Sequence, residues 1–383
     1  MPQDVLPPGH VFPDDDSVMR RALLIADRGR GGVEPNPLVG AVIVDDQRRL
    51  IAEGWHAQFG SDHAEIVAVQ AASQTEGTRL FVTLEPCSHH GRTPPCADAL
   101  IDAGFKEVVI GCMDPAPHVS GRGITRLKES GVSVITGLCD REARQLIAPF
   151  ALLQLNRRPW VHAKWAMTLD GRIATSSGHS KWITGGQSRQ EVHRMRGVMD
   201  AVITGAGTVR SDDPELTARP AGPRVATRIV LDRYGRSLES GSRLIATIDV
   251  APVIVCLAED ATAAAAQRIR NLGAEVLPLP QTSTGQLCVH SLLKELGQRN
   301  MTHVLVEAGA GVLGAFFDAQ LIDEFHAFIA PKLIGGVGAL SPIGGIGMES
   351  VSVLPDLESV QVQCFDDDVL IRGRIRRADS SNM

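Results

Sequence analysis

The chain has 383 residues, a length that favours two domains over a single core. With 44% hydrophobic and 21% charged residues and a mean hydropathy near zero, it falls in the soluble globular class, and its net charge of −6 argues against a broad basic face for nucleic acid while leaving room for a small anion site. There is no apolar run of about 18 residues to span a membrane, and the Pro- and Asp-rich start lacks the pattern of a secretory signal.

Seven scattered cysteines do not look like a disulfide framework and point to a reducing cytoplasm, where thiolates are free to hold metal. Aromatic residues make up 4%, with one Tyr, too few for platforms that stack single-stranded bases.

Residues 1–13 read as a flexible N-terminus. Helical apolar spacing follows over 18–28, then a hairpin over 38–44 and 50–53 and a helix over 64–72. From residue 80 strands and helices alternate (strand 80–84, helix 97–103, strand 107–111, helix 123–130, strand 132–136), which predicts a largely parallel sheet. A helix over 140–155 must stop before Pro159, and a strand over 160–166 begins there, so the domains are expected to be 14–158 and 159–378, with a frayed tail over 379–383. The second domain again alternates, with strands at 201–204, 228–231, 253–256, 303–306 and 324–330 and helices at 187–195, 262–272, 291–297 and 312–319.

His63-Ala64-Glu65 opens a helix, Pro86-Cys87 follows a strand, and Cys96 begins a further helix. One imidazole and two thiolates suit Zn2+ and leave a fourth position for water, whose pKa the metal lowers toward about 7. Glu65, two residues after His63, would stand near the metal without ligating it and carry protons between water, ring and leaving amine. Zinc deaminases use H-x-E followed by P-C-x-x-C, whereas here eight residues separate Cys87 from Cys96. A closed structural zinc site, with His89 or His90 as fourth ligand, and a metal-free site of ordinary buried cysteines are the other readings of these residues.

The block Thr83-Leu84-Glu85-Pro86-Cys87-Ser88-His89-His90-Gly91-Arg92-Thr93-Pro94-Pro95-Cys96 closely resembles the bifunctional deaminase/reductase family of riboflavin biosynthesis. Pro35-Asn36-Pro37, Gly54-x-His56, Leu169-Asp170-Gly171-Arg172, Trp182-Ile183-Thr184, Asp212-Asp213-Pro214 and Glu307-Ala308-Gly309 continue the resemblance over nearly the whole chain. It implies an α/β architecture: an N-terminal cytidine-deaminase-like three-layer domain, then a dihydrofolate-reductase-like α/β domain.

The implied chemistry has two steps. The first is hydrolytic deamination of a phosphorylated diaminopyrimidine, 2,5-diamino-6-(5-phosphoribosylamino)-4(3H)-pyrimidinone. The second is NADPH-dependent reduction of its ribosyl side chain, giving 5-amino-6-(5-phosphoribitylamino)uracil. By the same resemblance His63, Cys87 and Cys96 hold one Zn2+ per chain, Glu65 is catalytic, and Asn36 and His56 contact the pyrimidine. A homo-oligomer, dimer or tetramer, is implied, with no nucleic-acid or membrane partner.

For the reductase half, Gly309-Ala310-Gly311-Val312-Leu313-Gly314 reads formally as G-x-G-x-x-G after a strand, yet no acidic residue stands about 20 positions on, which weakens a Rossmann reading. The resemblance adds Ala166, Trp182, Thr208, Asp212 and residues 309–315, ending at Ala315, as cofactor contacts. It adds Ser180, Arg196, Leu216, Arg219, Glu307 and Lys164 as substrate contacts. Arg196 and Arg219 make physical sense as bidentate phosphate binders. Where the family often carries a small polar residue after Asp232, this chain has Arg233, read here as a partner for the 2′-phosphate of NADPH.

Overall fold

The computed structural model describes residues 5–88, 94–116 and 120–376. The chain divides into two compact units, one ending at Asn156 and the other starting at Arg157, two residues before the expected boundary.

The first unit is built on one sheet. Its strands are β1 (Gly40–Val44), β2 (Leu50–Trp55), β3 (Arg79–Leu84), β4 (Glu107–Cys112) and β5 (Ser133–Thr136), in the order β2-β1-β3-β4-β5. β1 runs antiparallel to β2 and β3, while β3, β4 and β5 are parallel. Because strand side chains alternate between faces, Ala41, Leu80, Val82, Val108 and Ile110 pack with Ala64, Ala68, Leu100 and Leu127 on one side, and Val42, Val44, Phe81 and Val109 pack with Val18, Met19 and Ile25 on the other. The result is a helix–sheet–helix sandwich.

One expectation fails at the start of the chain. Residues 7–12 are not loose: the Gly9 and Phe12 N–H groups donate to the Leu50 and Arg48 carbonyls, the His10 carbonyl accepts from the Leu50 N–H, and Phe12 is buried against the sheet. A Pro- and Gly-rich segment gains order here from pairing that local sequence does not encode. The expected frayed tail lies outside the described residues.

The second unit carries a nine-stranded sheet: β6 (Trp160–Thr168), β7 (Ala201–Gly205), β8 (Thr227–Leu231), β9 (Val253–Ala258), β10 (Glu275–Leu279), β11 (His303–Glu307), β12 (Glu324–Ala330), β13 (Leu357–Phe365) and β14 (Asp368–Ile375). The order is β10-β9-β8-β7-β11-β6-β12-β14-β13, parallel from β10 to β12 and closed by an antiparallel hairpin. That hairpin was not expected, although Val360-Gln361-Val362-Gln363 alternates with the period of a strand. β10 was also missed; Pro278 interrupts it, which a strand tolerates at the sheet edge that β10 occupies. Helices cover both faces, with Leu292, Leu296, Leu313 and Phe316 on one and Val192, Met195, Val209 and Ile269 on the other.

Strands β6 and β7 are consecutive in sequence, yet β11 lies between them. This reversal of strand order opens a crevice at the carboxyl ends of β6, β7, β8 and β11, where open α/β sheets bind ligands.

Candidate active sites

In the first unit, His63 is the N-cap of the helix Ala64–Ala71, Cys87 lies just beyond β3, and Cys96 starts the helix Cys96–Asp102. His63 Nδ1 is 3.1 Å from Cys96 Sγ and 3.7 Å from Cys87 Sγ, and the Cys96 backbone N–H donates to Cys87 Sγ at 3.3 Å. All three donor atoms fall within 4.8 Å of one another. Zinc bonds of about 2.0 Å to nitrogen and 2.3 Å to sulfur give tetrahedral edges of about 3.5–3.8 Å, so the set fits that ion. His89 and His90, the alternative fourth ligands, lie outside the described residues.

Contact with Cys96 holds the Cys87 thiol well below the usual thiol range, while the same contact and burial push Cys96 up. A divalent cation favours both thiolates.

Glu65 sits in the first turn of the His63 helix and is 3% exposed. Burial pushes its carboxyl up, with the charge of His63 acting against this, so the group is suited to holding and releasing a proton. Beside it, His56 Nδ1 lies 3.0 Å from the Asp62 carbonyl and must donate to it, which leaves Nε2 to accept from Asn36 Nδ2 at 3.1 Å. Burial lowers the His56 pKa and keeps this ring neutral. The His56 and His63 rings meet edge to face at 5.3 Å, which places the Asn36–His56 pair against the metal-ligand set. Gly54 allows this approach, since a Cβ there would lie 2.5 Å from backbone atoms of Ala64 and Ala68 on the His63 helix.

A residue given no role by the motif has a clear one in the structure. The buried Glu85 carboxylate accepts from the backbone N–H groups of Asp114, Gly121, Gly123 and Ile124, at 3.3, 2.9, 3.0 and 3.4 Å. It caps the helix Arg122–Glu129 and clamps the strand end that carries Cys87. Glu85→Gln keeps the shape but turns an amide N–H2 toward backbone donors, and a cost of about 2–3 kcal/mol is expected. Thermal inactivation of ammonia release should show it; an unshifted midpoint would refute the clamp.

In the second unit, a cavity of ≈ 1310 Å³ occupies the crevice. Lys164 and Ala166 of β6, Glu307 of β11, and Thr208 and Asp212 of the helix Ala206–Asp212 line it. Ser180 Oγ donates to Asp212 Oδ1 at 3.1 Å on its wall. Trp182, 67% exposed, lies at the rim under the Arg189 guanidinium at 4.8 Å. Leu216, Arg219 and Arg233 also face the cavity.

The helix Ala310–Asp318 opens from Gly309 beside the cavity, and a Cβ on Gly311 would meet nothing within 4 Å, so backbone N–H groups are accessible to an anion. Gly309, Ala310, Gly311, Val312 and Ala315 line the cavity, but Leu313 and Gly314 do not. Helical periodicity turns the Leu313 side chain into the core, and a Cβ on Gly314 would sit 2.4 Å from the Gly344 backbone.

Arg196 lines the same cavity and is held by protein groups. Its Nε and one terminal nitrogen bond the two Glu307 carboxylate oxygens at 2.9 and 2.8 Å, and another donates to the Thr217 carbonyl at 3.1 Å. Lys164 Nζ adds a contact to Glu307 at 3.3 Å. Burial works to raise the Glu307 carboxyl, but Arg196 and Lys164 outweigh it and hold it ionised. The Arg196 fork is therefore occupied by protein. Arg219, bonded to Glu215 and to the Thr217 hydroxyl, is the more exposed of the two. Arg189, Arg210, Tyr234 and Arg243 also line the cavity; each looks like an ordinary surface residue in the sequence, and only the fold brings them together.

Fold and sites together define a two-domain enzyme, a zinc-type hydrolytic deaminase followed by a nucleotide-dependent reductase. Residues 13–112 match the cytidine and deoxycytidylate deaminase zinc-binding region, and residues 159–371 match the RibD C-terminal domain. The chain belongs to the RibD family of riboflavin biosynthesis proteins. It is 39% identical to riboflavin biosynthesis protein RibD of Synechocystis over 94% of this chain and 96% of that one, and 38% identical to RibD of Bacillus amyloliquefaciens over 93% and 95%. Among solved structures it is similar to Acinetobacter baumannii RibD, with 37% identity, a TM-score of 0.81 and coverage of 95% of this chain and 99% of that one. A Thermotoga maritima diaminohydroxyphosphoribosylaminopyrimidine deaminase/5-amino-6-(5-phosphoribosylamino)uracil reductase gives 38% identity, a TM-score of 0.80 and coverage of 94% and 98%.

Proposed function

We propose that the chain carries out two consecutive steps of riboflavin biosynthesis on one phosphorylated pyrimidine. The first unit hydrolyses the 2-amino group of 2,5-diamino-6-(5-phosphoribosylamino)-4(3H)-pyrimidinone, and the second reduces the ribosyl chain of the product with NADPH to give 5-amino-6-(5-phosphoribitylamino)uracil. The observation that carries this reading is the juxtaposition of His63, Cys87 and Cys96 within 4.8 Å beside the buried Glu65.

His63, Cys87 and Cys96 hold zinc. When bound, zinc acts as a Lewis acid on water and lowers its pKa toward about 7. Glu65 carries one proton of the attacking water to the ring nitrogen and then the hydroxyl proton of the tetrahedral adduct to the departing amine, so that the C–N bond breaks, the ring carbonyl forms and ammonia leaves neutral. Asn36, fixed by the neutral His56, orients the pyrimidine.

In the second unit, NADPH supplies the hydride when bound. The open helix start at Gly309–Gly311 receives a phosphate of the dinucleotide, with Thr208, Asp212 and Trp182 along its length. Arg233, whose guanidinium lies 4.8 Å from the Tyr234 ring at the cavity wall, is placed toward the 2′-phosphate. Arg219, with Ser180 and Leu216, holds the substrate's phosphorylated chain. Lys164, held beside Glu307, faces the sugar.

We further assign the chain to the cytoplasm as a homo-oligomer, with no nucleic-acid or membrane partner. All seven cysteines are free thiols, and no helix of the described residues is long and apolar enough to cross a membrane. Incubating the purified chain with the diaminopyrimidine phosphate and NADPH should release one ammonia and consume one NADPH per substrate. Ammonia release without NADPH consumption would overturn the bifunctional reading.

A further inference from the structure

A second set of metal-type donors lies in the reductase unit, apart from the cavity. His162 on β6 and Glu324 on β12 are register partners, His326 follows on the same face of β12, and His303 stands on the adjacent strand β11. This is the sheet face covered by the helix Gly186–Arg196. The three histidines are 4–6% exposed.

His162 Nδ1 lies 3.2 Å from His326 Nε2 and 3.8 Å from a Glu324 oxygen, and the other Glu324 oxygen lies 3.5 Å from His326 Nε2. The three donor atoms fall within 4.8 Å of one another. Ligands at about 2.0–2.2 Å from a tetrahedral ion are separated by about 3.3–3.6 Å; the nitrogen–nitrogen edge is close to this, and the two Glu324 oxygens, each nearest a different imidazole, let the carboxylate close the set from either side.

The surroundings have the form expected around metal-binding imidazoles. The opposite ring nitrogen of His162, Nε2, faces His303 Nδ1 at 3.1 Å, so that with Nδ1 as the ligand atom the Nε2–H donates to His303 and fixes the tautomer. Arg374 Nε, 3.8 Å from Glu324, restrains the carboxylate. Two imidazoles and one carboxylate form a donor set used for divalent zinc, iron, cobalt and nickel, and rejected by magnesium and calcium, which prefer all-oxygen shells.

We propose that His162, Glu324 and His326 form a second divalent transition-metal site, distinct from the deaminase centre, that pins β12 to β6. His326 is the register partner of Lys164, so the pin lies directly beside the strand position that carries Lys164 into the cavity. Its role is structural: it holds the β6–β12 pair, and so the floor of the reductase crevice, in one register.

The test uses the full chain stripped of metal and titrated with Co2+, whose visible and near-ultraviolet bands report the ligands. Two equivalents per chain are expected, one with thiolate charge-transfer bands and one with d–d bands alone. Cys87→Ser should abolish the first and keep the second. His326→Gln and, separately, Glu324→Gln should abolish the second and keep the first, with ammonia release unchanged. A single equivalent in the parent chain, or a thiolate-free equivalent that survives both substitutions on β12, would overturn the proposal and leave the three histidines as a hydrogen-bonded chain. The parent stoichiometry decides the matter even if a variant folds poorly.

Discussion

Glu65→Gln is expected to abolish ammonia release, by about 10²–10⁴-fold, the usual weight of a single general acid–base group. Gln keeps the volume of the side chain and its place in the first helical turn, but it neither accepts a proton from water nor delivers one to the amine. Burial makes Glu65 a good proton carrier by raising its carboxyl, and the amide has no such equilibrium. Because Glu65 is not among the three clustered donors, zinc content should stay at the parent level. NADPH consumption with the already deaminated substrate should also be unchanged, since that step belongs to the other unit. Parent-rate ammonia release by the zinc-loaded Gln variant would remove Glu65 from the mechanism; loss of zinc would make it a structural element of the metal site instead.

Arg196→Ala should have the opposite selectivity. Arg196, Lys164 and Glu307 form a largely buried ion cluster with side chains 11%, 12% and 17% exposed. Removing one partner of a buried pair costs about 3–5 kcal/mol, because the remaining charge stays behind without its counter-ion. Lys164 persists, so the lower part of that range applies. At about 2–4 °C per kcal/mol for a unit of this size, the reductase melting midpoint should fall by about 10 °C.

Reduction should fall at least about tenfold even below that midpoint, because Glu307 and Lys164 lose their fixed positions at the cavity wall. Ammonia release should be unaffected. Melting curves together with separate ammonia and NADPH assays on Arg196→Ala check this. Equal loss of both activities would point to general damage, and unchanged reduction would show that the cluster does not position the site. Since the fork of Arg196 is taken by Glu307, Arg219→Ala is the substitution that should raise the KM for the phosphorylated substrate while leaving stability nearly intact.

The deaminase centre was legible in the sequence because its geometry is local. His63 and Glu65 lie two residues apart at one helix start, and Cys87 and Cys96 flank one loop, so spacing alone restricts where their donors can point. The same locality made the parallel alternation from residue 80 and the break at Pro159 readable, each element carrying its own apolar period and its own stop.

Long-range pairing decided the rest. Whether residues 7–12 are loose or bound to the Arg48–Leu50 edge depends on a partner some forty positions away. That Arg196 meets Glu307 follows from the insertion of β11 between β6 and β7, which sets a helix side chain against a strand more than a hundred residues later. The helix beginning at Ala310 shows the boundary between the two kinds of information. Its glycines advertised an anion-binding turn, but only packing against the Gly344 segment and the core turned Gly314 and Leu313 away from the cavity and left Gly309, Ala310, Gly311, Val312 and Ala315 facing it. Sequence determined the residue types and local periods that make each site chemically possible. The tertiary fold decided which groups meet, because strand order and register lie in contacts between distant segments that no local spacing records.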